Sequence, residues 1–406
     1  MRKWIAMLLI LPILLLAGCS SQEKNLGDDY LLDTDDQYYL RNTIENEILE
    51  SEDSYYVFGF HYLYSIDKKT GAETPVCNKP DCLHDNEPDD SRRADCNAYF
   101  PAQGSMAYYQ DKLYIVDTMG FDLDEKESVY EVDLSGSGRK KIYQAEKTIS
   151  TMIVHRGYLY LSFSDFIYSN EVYEKNPDML QDSSCEVVRI PIDNPSQDPE
   201  TVWKVQGVPA QVNVMSAYGN RVYMTISNLS EDADALPTMV IYHILDHKTT
   251  ETKELGWNNL VRWDGKAIAF SQTLGDGNAI LADMDGNMVG QLDFNKQMNF
   301  YSNDQYLVVD NESLVRYGEV PKEDRAIQIY DKEMNLVKEI KLGTSTLPGV
   351  GMDQQYFFYL HEGEDPEVSG TDIWAIDLSR LDEADLEGEP FFTYVAPNSQ
   401  GMVMVS

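Results

Sequence analysis

The chain has 406 residues, and its 69 acidic residues against 32 basic ones give a formal net charge of −37 at neutral pH. This excess of negative charge excludes a nucleic-acid-binding protein and opposes adsorption to an anionic bilayer. Hydrophobic residues make up 43% of the chain, and 27 tyrosines add large side chains, so a sizeable folded core is expected.

The first eighteen residues predict export. Arg2 and Lys3 precede an apolar run over residues 5–16, which is too short to span a bilayer and is typical of a signal peptide. The run ends in the tetrapeptide LAGC at 16–19. This tetrapeptide resembles the lipobox of bacterial lipoproteins, and the resemblance implies that Cys19 carries a diacylglycerol. The alternative is an ordinary signal peptide followed by a chance cysteine.

On this interpretation residues 1–18 are removed, and the mature chain is lipid-anchored on the outer face of the cell membrane. It keeps 30 basic and 69 acidic residues, a net charge of −39. Residues 19–36 are polar and are predicted to form a flexible, lipidated tether. Residues 37–406 are predicted to form a single folded domain.

That domain repeats one pattern: a strand of aromatic and β-branched residues ending near an aspartate, then a turn and a further strand. The pattern occurs seven times, and its aspartates are Asp67, Asp133, Asp193, Asp246, Asp285, Asp331 and Asp377. Six of the copies follow another pair of short strands, which completes four strands. Repeats of roughly 40–50 residues built this way are typical of propeller blades. The sequence therefore predicts an all-β fold, a β-propeller of seven four-stranded blades, with six or eight as alternatives.

Individual repeats suggest relatives. The segments LYSIDKKTGAETPV and IWAID resemble quinoprotein-type repeats, and VYEVDLSGSGRKKIY is similar to the repeats of TolB-type and YWTD-type propellers. Together with the lipobox and a cysteine-rich stretch, they resemble bacterial propeller lipoproteins of Gram-positive type. The resemblance covers nearly all of the mature chain. It implies a lipid-anchored propeller and no particular substrate. Either residues 37–41 or 401–406 are expected to supply a strand that closes the ring, because an open ring would expose strand edges.

Residues 75–100 contain three cysteines and a histidine, namely Cys77, Cys82, His84 and Cys96. Three thiolates and one imidazole make a complete tetrahedral set for a structural zinc ion, the one cofactor that the sequence indicates. Export favours oxidation instead, so at least one disulfide is the other interpretation; Cys185 brings the non-lipid cysteines to four, which allows three connectivities, and unlinked thiols are a third possibility. With either cross-link the stretch is predicted to be a structural staple, because a long acidic connection buries little apolar surface.

The longest insertions are predicted to share one face of the propeller. Strands A to D of a blade run outward from the axis, and these insertions join strand B to strand C. Long loops on a rigid scaffold concentrate function. They contain the predicted ligand-binding residues, which are acidic or aromatic: Asp122, Asp124, Phe166, Tyr168, Tyr173, Asp232, Asp234, Glu362 and Asp365.

Common hydrolase motifs, such as Gly-x-Ser-x-Gly and His-Glu-x-x-His, do not occur, and the sequence indicates no catalytic residue. The leading hypothesis is therefore a non-catalytic binding protein whose acidic loop-rich face meets a carbohydrate, a peptide or an envelope protein. A carbohydrate-active enzyme with carboxylates at the channel mouth is the alternative. An envelope-assembly scaffold is a third.

Overall fold

A computed structural model describes residues 27–40, 48–87, 89–118, 126–165, 184–207, 210–228, 238–252, 260–269, 278–295, 298–344, 346–362 and 371–393. Within these ranges the backbone forms seven separate sheets, each of four antiparallel strands. No helix in the described ranges has the length and apolar character needed to cross a membrane. The prediction of an all-β propeller with seven blades is confirmed.

Each blade consists of four consecutive strands, labelled A to D in chain order. Blades 1 to 4 contain β1 Ile48–Glu50, β2 Ser54–Gly59, β3 Tyr62–Asp67, β4 Glu73–Pro75; β5 Gln103–Tyr109, β6 Lys112–Asp117, β7 Ser128–Asp133, β8 Arg139–Gln144; β9 Ile149–His155, β10 Tyr158–Asp165, β11 Ser184–Pro191, β12 Glu200–Gln206; β13 Ala210–Tyr218, β14 Arg221–Asn228, β15 Thr238–His243 and β16 Lys248–Thr252.

Blades 5 to 7 contain β17 Leu260–Trp263, β18 Lys266–Ala269, β19 Asn278–Ala282, β20 Met288–Asn295; β21 Asn299–Ser302, β22 Leu307–Asp310, β23 Ala326–Tyr330, β24 Leu336–Lys341; β25 Thr346–Met352, β26 Tyr356–Glu362, β27 Thr371–Asp377 and β28 Glu389–Phe392. Described helix is limited to short segments: Tyr38–Leu40, His84–Asn86, Asp90–Arg93, Glu312–Arg316, Lys322–Asp324 and Leu378–Arg380.

Strand A is the innermost strand of each blade, because the A strands of neighbouring blades contact one another, as β5 does with β9 and β9 with β13. Apolar side chains fill the seams between blades. Between blades 2 and 3, for example, the buried residues Tyr114, Val129, Leu159 and Leu161 belong to one cluster. Core packing therefore lies between the blades, which fixes the ring as a single rigid support for its loops.

Among the described residues, the first and last blades share no strand. Blade 1 is complete in residues 48–75 and blade 7 in residues 346–392, and one apolar cluster joins them. The expected closing strand over residues 37–41 is therefore not formed: Tyr38–Leu40 is a 3₁₀ turn, and residues 401–406 lie outside the described residues. The repeat pattern in the sequence does not predict the A and B strands of blade 1. The structure forms both, so blade 1 has four strands of its own.

The two faces of the ring differ. The face that holds the B–C loops and the connections from D to the next A is here called the loop face, and the face with the A–B and C–D turns is called the turn face. The predicted insertions do fall between strands B and C in blades 2, 3, 4, 6 and 7. The loop face is therefore the one on which long segments gather.

Residues 27–40, here called the strap, lie across the turn face. Backbone N–H groups in the A–B turns of blades 2 and 3 donate to it, from Gln110 to the Asp33 carbonyl (2.9 Å) and from Arg156 to the Thr34 carbonyl (2.6 Å). The 3₁₀ turn at its end contacts the A strands of blades 4, 5 and 7. Since these blades are spread around the ring, the strap covers the channel mouth on the turn face.

The strap includes the second half of the predicted flexible tether. Asp35 and Asp36 are buried, and the Arg156 guanidinium holds the Asp35 carboxylate at 2.9 Å. The amide of Gln37 pairs with both backbone groups of Glu50 in the innermost strand of blade 1. Residues before 37 are thus packed on the propeller. Side-chain hydrogen bonds hold this segment, although its polar sequence has no strand pattern.

Candidate functional site

Most of the predicted ligand-binding residues lie outside the described residues. These are Asp122, Asp124, Phe166, Tyr168, Tyr173, Asp232, Asp234 and Asp365, and the same holds for Cys19. Glu362 is the last residue of β26, at the loop face of blade 7. The structure therefore places the B–C loops on one face, and the contribution of these side chains remains a prediction.

The cysteine-rich stretch does bring its four predicted ligands together. One donor atom each from Cys77, Cys82, His84 and Cys96 lies within 4.8 Å of all the others. Cys96 Sγ is 3.7 Å from His84 Nδ1. In a tetrahedral zinc site with Zn–S bonds of about 2.3 Å, neighbouring sulfur atoms are about 3.8 Å apart. The cluster therefore matches a Cys₃His metal centre after a small contraction.

The surroundings of the cluster suit a bound cation. Burial by itself would raise the pKa of the Cys77 thiol. The pKa is nevertheless lowered, because the backbone N–H groups of Lys79 and Asn97 donate to the sulfur. Such donors stabilise thiolate ligands and orient them. A solvent-open cavity of about 260 Å³ borders Cys82 and His84 and provides a route for an ion.

The cluster lies at the outer rim between blades 1 and 2. The Asn97 side chain and the Asn78 backbone N–H both donate to the Gly136 carbonyl, in the C–D turn of blade 2. A side chain at Gly136 would collide with the Cys77 backbone at 2.5 Å, so only glycine fits this contact. The cysteine-rich stretch begins and ends on the loop face, as expected. Between its ends it packs at the outer rim, against the Gly136 turn, and away from the axis.

Cys185 does not join this cluster. It is buried in β11, where its thiol contacts the Ala210 carbonyl at the seam of blades 3 and 4. All four described cysteines are unlinked. A disulfide through Cys185 therefore finds no partner among the described residues, and a metal ion is the alternative that uses all four residues of the cluster.

A second feature of the loop face was not predicted from the sequence. The last residue of strand B is acidic in four blades, at Asp117, Asp165, Asp310 and Glu362. These positions surround the axis one strand out from the channel. They were visible in the sequence only as the first residues of the insertions, and their equivalence needs the strand register. The strand register therefore places four acidic positions at the loop-face ends of B strands.

In blade 6 the acidic position is tied to the scaffold. Asp310 and Arg325 are both buried and form an ion pair with two hydrogen bonds, and the Arg325 guanidinium also donates to the Leu347 carbonyl (3.3 Å). The Gly349 N–H donates to Asp310 at 3.3 Å. With its charge compensated in this way, Asp310 holds the B–C loop of blade 6 against blade 7 and is a structural group.

Blade 2 has carboxyl groups at both ends of its B–C loop. Asp117 is fully buried, and Glu127 at the other end of the same B–C loop accepts the Ile149 N–H at 2.5 Å. Burial raises the pKa of the Glu127 carboxyl, the hydrogen bond from Ile149 partly offsets this, and the Asp117 carboxylate raises it further. A carboxyl of raised pKa beside a second carboxyl is the arrangement that general acid catalysis uses.

A similar shift occurs in blade 6. Glu312 is 7% exposed at the start of helix Glu312–Arg316, and burial raises the pKa of its carboxyl. The Arg316 guanidinium, 3.1 Å away, opposes this shift, and Asp310 reinforces it. Because Glu312 has a cationic partner, Glu127 is the stronger candidate for a proton donor.

No protein-family model matches the chain, and no curated protein matches it in sequence. In fold it is similar to solved propeller proteins. A prolyl endopeptidase shares 9% identity at a TM-score of 0.57, over 96% of this chain and 54% of that one. An oligogalacturonate lyase in complex with manganese shares 10% at 0.52, over 86% and 92%. The propeller domain of the Trilobed protease from Pyrococcus furiosus, which has an open velcro topology, shares 11% at 0.50, over 88% and 96%.

At these identities the likeness establishes the fold, a seven-bladed β-propeller. The chain spans about half the length of the prolyl endopeptidase and nearly all of the lyase. The solved relatives are enzymes or come from enzymes, and this finding overturns a non-catalytic binding protein as the leading hypothesis. The absence of common hydrolase motifs does not exclude catalysis, because carboxylate-based chemistry needs no such motif. The catalytic alternative is therefore the one to pursue.

Proposed function

We propose that the protein is a carbohydrate-active enzyme whose substrate binds at the loop face. The observation that carries this proposal is the pair of carboxyl groups at the two ends of the B–C loop of blade 2, the buried Asp117 and Glu127, with the pKa of Glu127 raised. The match to an oligogalacturonate lyase over 92% of that chain supports it, because a propeller without a further large domain makes up nearly all of that enzyme.

The charge of the chain restricts the substrate. With 69 acidic and 32 basic residues, the surface repels polyanions, so uronate-rich oligosaccharides are disfavoured. Neutral glycans face no such repulsion, and their hydroxyl groups hydrogen-bond well to carboxylates. The proposed substrate is therefore a neutral oligosaccharide, and the substrate in the lyase's name does not carry over to this chain.

Glu127 is the proposed proton donor. Its raised pKa keeps the carboxyl protonated to higher pH than an exposed glutamate, which suits protonation of a glycosidic oxygen. A groove of about 240 Å³ between blades 2 and 3 is lined by Tyr143, Glu146, Lys147, Phe163 and Glu186 among others. Glu127 adjoins this lining, because its carbonyl accepts the Ala145 N–H at 2.9 Å. Aromatic rings beside polar groups are the lining that a sugar requires.

The test compares Glu127→Gln with Glu52→Gln, an exposed glutamate in the A–B turn of blade 1, on the turn face. Turnover is measured as reducing ends released from a panel of neutral oligosaccharides and from oligogalacturonate. The proposal expects turnover of a neutral substrate, a fall of about 10²–10⁴-fold for Glu127→Gln, and an unchanged rate for Glu52→Gln. Equal loss in both variants, or cleavage of oligogalacturonate alone, contradicts it.

We also propose that the Cys₃His cluster binds a structural zinc ion. All four donors belong to the protein, so the coordination shell would be closed to substrate, unlike that of a catalytic zinc site. The position of the cluster at the rim of blades 1 and 2 agrees with a staple, because Asn97 and Cys77 both contact the Gly136 turn. Such an ion would hold this seam and would take no part in the proposed catalysis.

Finally, we propose that Cys19 carries a lipid that anchors the chain to the outer face of the cell membrane, as its LAGC context resembles a lipobox. Two acyl chains would hold the protein firmly, since one alone binds only marginally.

A further inference from the structure

The turn face carries an unusual share of exposed apolar side chains. Among the described residues, nine large apolar side chains are exposed, and six of them lie in the strap or at the turn-face ends of blades 4 to 6. These six are Leu31, Leu245, Met288, Val289, Leu336 and Val337. Leu245 lies in the C–D turn of blade 4, while the last four begin the outermost strands of blades 5 and 6. The five residues other than Leu31 are here called the apolar rim.

The described chain begins beside the apolar rim. The Asp28 carboxylate accepts the Asn220 N–H at 3.3 Å, and Arg221 reaches both Asp28 (3.5 Å) and Asp285 (2.8 Å). Asp285 belongs to the C–D turn of blade 5, which leads into Met288. The strap therefore starts at the edge of blades 4 and 5, on the turn face.

The preceding residues contain the apolar run over residues 5–16 and Cys19. The eight residues from Cys19 to Gly27 span at most about 28 Å when fully extended. An anchor at Cys19 thus keeps blades 4 and 5 within that distance of the bilayer and raises the effective concentration of lipid at the apolar rim. No comparable tether starts on the loop face among the described residues.

We propose that the apolar rim docks on the lipid bilayer that holds the N-terminus, with Met288, Val289, Leu336 and Val337 entering the interface. The loop face then points away from the membrane, toward soluble substrate. This orientation rests on the proposed membrane anchor and is independent of the proposed catalysis. The net charge of −37 repels anionic headgroups, so the matching surface is a zwitterionic bilayer.

The test uses the full lipidated chain in phosphatidylcholine vesicles with brominated acyl chains, which quench nearby tryptophan. Val289→Trp reports on the apolar rim, and Tyr317→Trp, at a 68% exposed position in the B–C loop of blade 6, is the loop-face control. The emission added at 289 is expected to fall at least twofold relative to unbrominated vesicles, and that at 317 to stay unchanged. Equal quenching at both positions, or none at 289, overturns the proposal.

A second change tests the apolar contact itself. Adding Leu336→Asp to Val289→Trp is expected to restore most of the lost emission, whereas Leu83→Asp, on the cysteine-rich stretch, is expected to leave the quenching intact. Sedimentation of the vesicles is measured in parallel. A chain that does not sediment with vesicles overturns the anchor and the docking together, while a docked chain that cleaves no glycan leaves the docking intact and contradicts only the proposed catalysis.

Discussion

His155 is the buried residue on which the strap depends most directly. Its side chain is fully buried, Nδ1 accepts the Asp36 N–H at 3.2 Å, and Nε2 lies 2.8 Å from the Gly219 carbonyl, to which it donates. Only the neutral ring with its proton on Nε2 satisfies both partners. Burial lowers the pKa of His155, the Asp35 carboxylate opposes this shift, and Arg156 reinforces it.

The sign of the pH effect follows from that lowered pKa. The folded state holds the proton less tightly than the unfolded state, so the contribution of His155 is complete above the unfolded pKa of about 6.5 and declines below it. His155→Gln, which loses a buried hydrogen bond, is expected to destabilise the protein by roughly 1–3 kcal/mol at pH 7.5 and by less at pH 5.5. Urea unfolding at both pH values measures this difference. A penalty that grows as the pH falls would show that His155 is charged when folded.

At the scale of elements, the cysteine-rich stretch is the connection that most needs support. It runs from β4 to β5 and contains only short helical turns, yet Cys96, Ala98 and Phe100 are buried in the cluster that joins blades 1 and 2. His84 adopts a left-handed backbone conformation, with φ at +51°, which costs a non-glycine residue free energy. A bound ion at the Cys₃His cluster would stabilise this arrangement.

Metal removal is expected to loosen this seam. Protein purified without oxygen should contain about one equivalent of zinc, and Cys77→Ser should lose it, whereas Cys185→Ser should keep it because Cys185 lies outside the cluster. A ligand present at 1,000 times its dissociation constant stabilises a fold by about 4 kcal/mol, so chelation should lower the melting temperature by several degrees. Zinc-free protein whose thiols are blocked to titration would contradict the metal centre and support a disulfide.

At the scale of the whole molecule, side-chain contacts between described residues join the first blade to the last. The Tyr55 hydroxyl in blade 1 donates to the Asp353 carboxylate in blade 7, and the Tyr55 ring contacts Phe358 and Phe391 at 5.6 and 5.2 Å between centroids. Asp353 also accepts the N–H groups of Gln355 and Tyr356, which hold its own A–B turn. In the part of the chain that the structure describes, the first and last blades share no strand, so these contacts contribute to the closure.

Tyr55→Phe leaves a buried carboxylate short of one donor and is expected to cost about 1–3 kcal/mol. The matched control is Tyr223→Phe, which removes the hydrogen bond to the Met284 carbonyl at the seam of blades 4 and 5, where the chain is continuous. Both variants are expected to melt earlier, but only Tyr55→Phe should speed hydrogen exchange in blades 1 and 7. Identical exchange in the two variants would mean that closure is no weaker than the other seams.

The sequence by itself determined the class of fold, the number of blades and the face that holds the insertions. These features follow from the alternation of apolar residues and from turn residues at fixed offsets, which are local properties of the chain. It also named the four members of the Cys₃His cluster, since they lie within one short stretch. Only the tertiary structure decided that Cys185 stands apart, that Asp117 and Asp310 occupy equivalent positions at the channel mouth, and that the strap covers the opposite mouth. Each of these depends on contacts between residues far apart in the chain, such as Asp36 with His155 and Asp28 with Arg221, and a local pattern carries no record of such pairings.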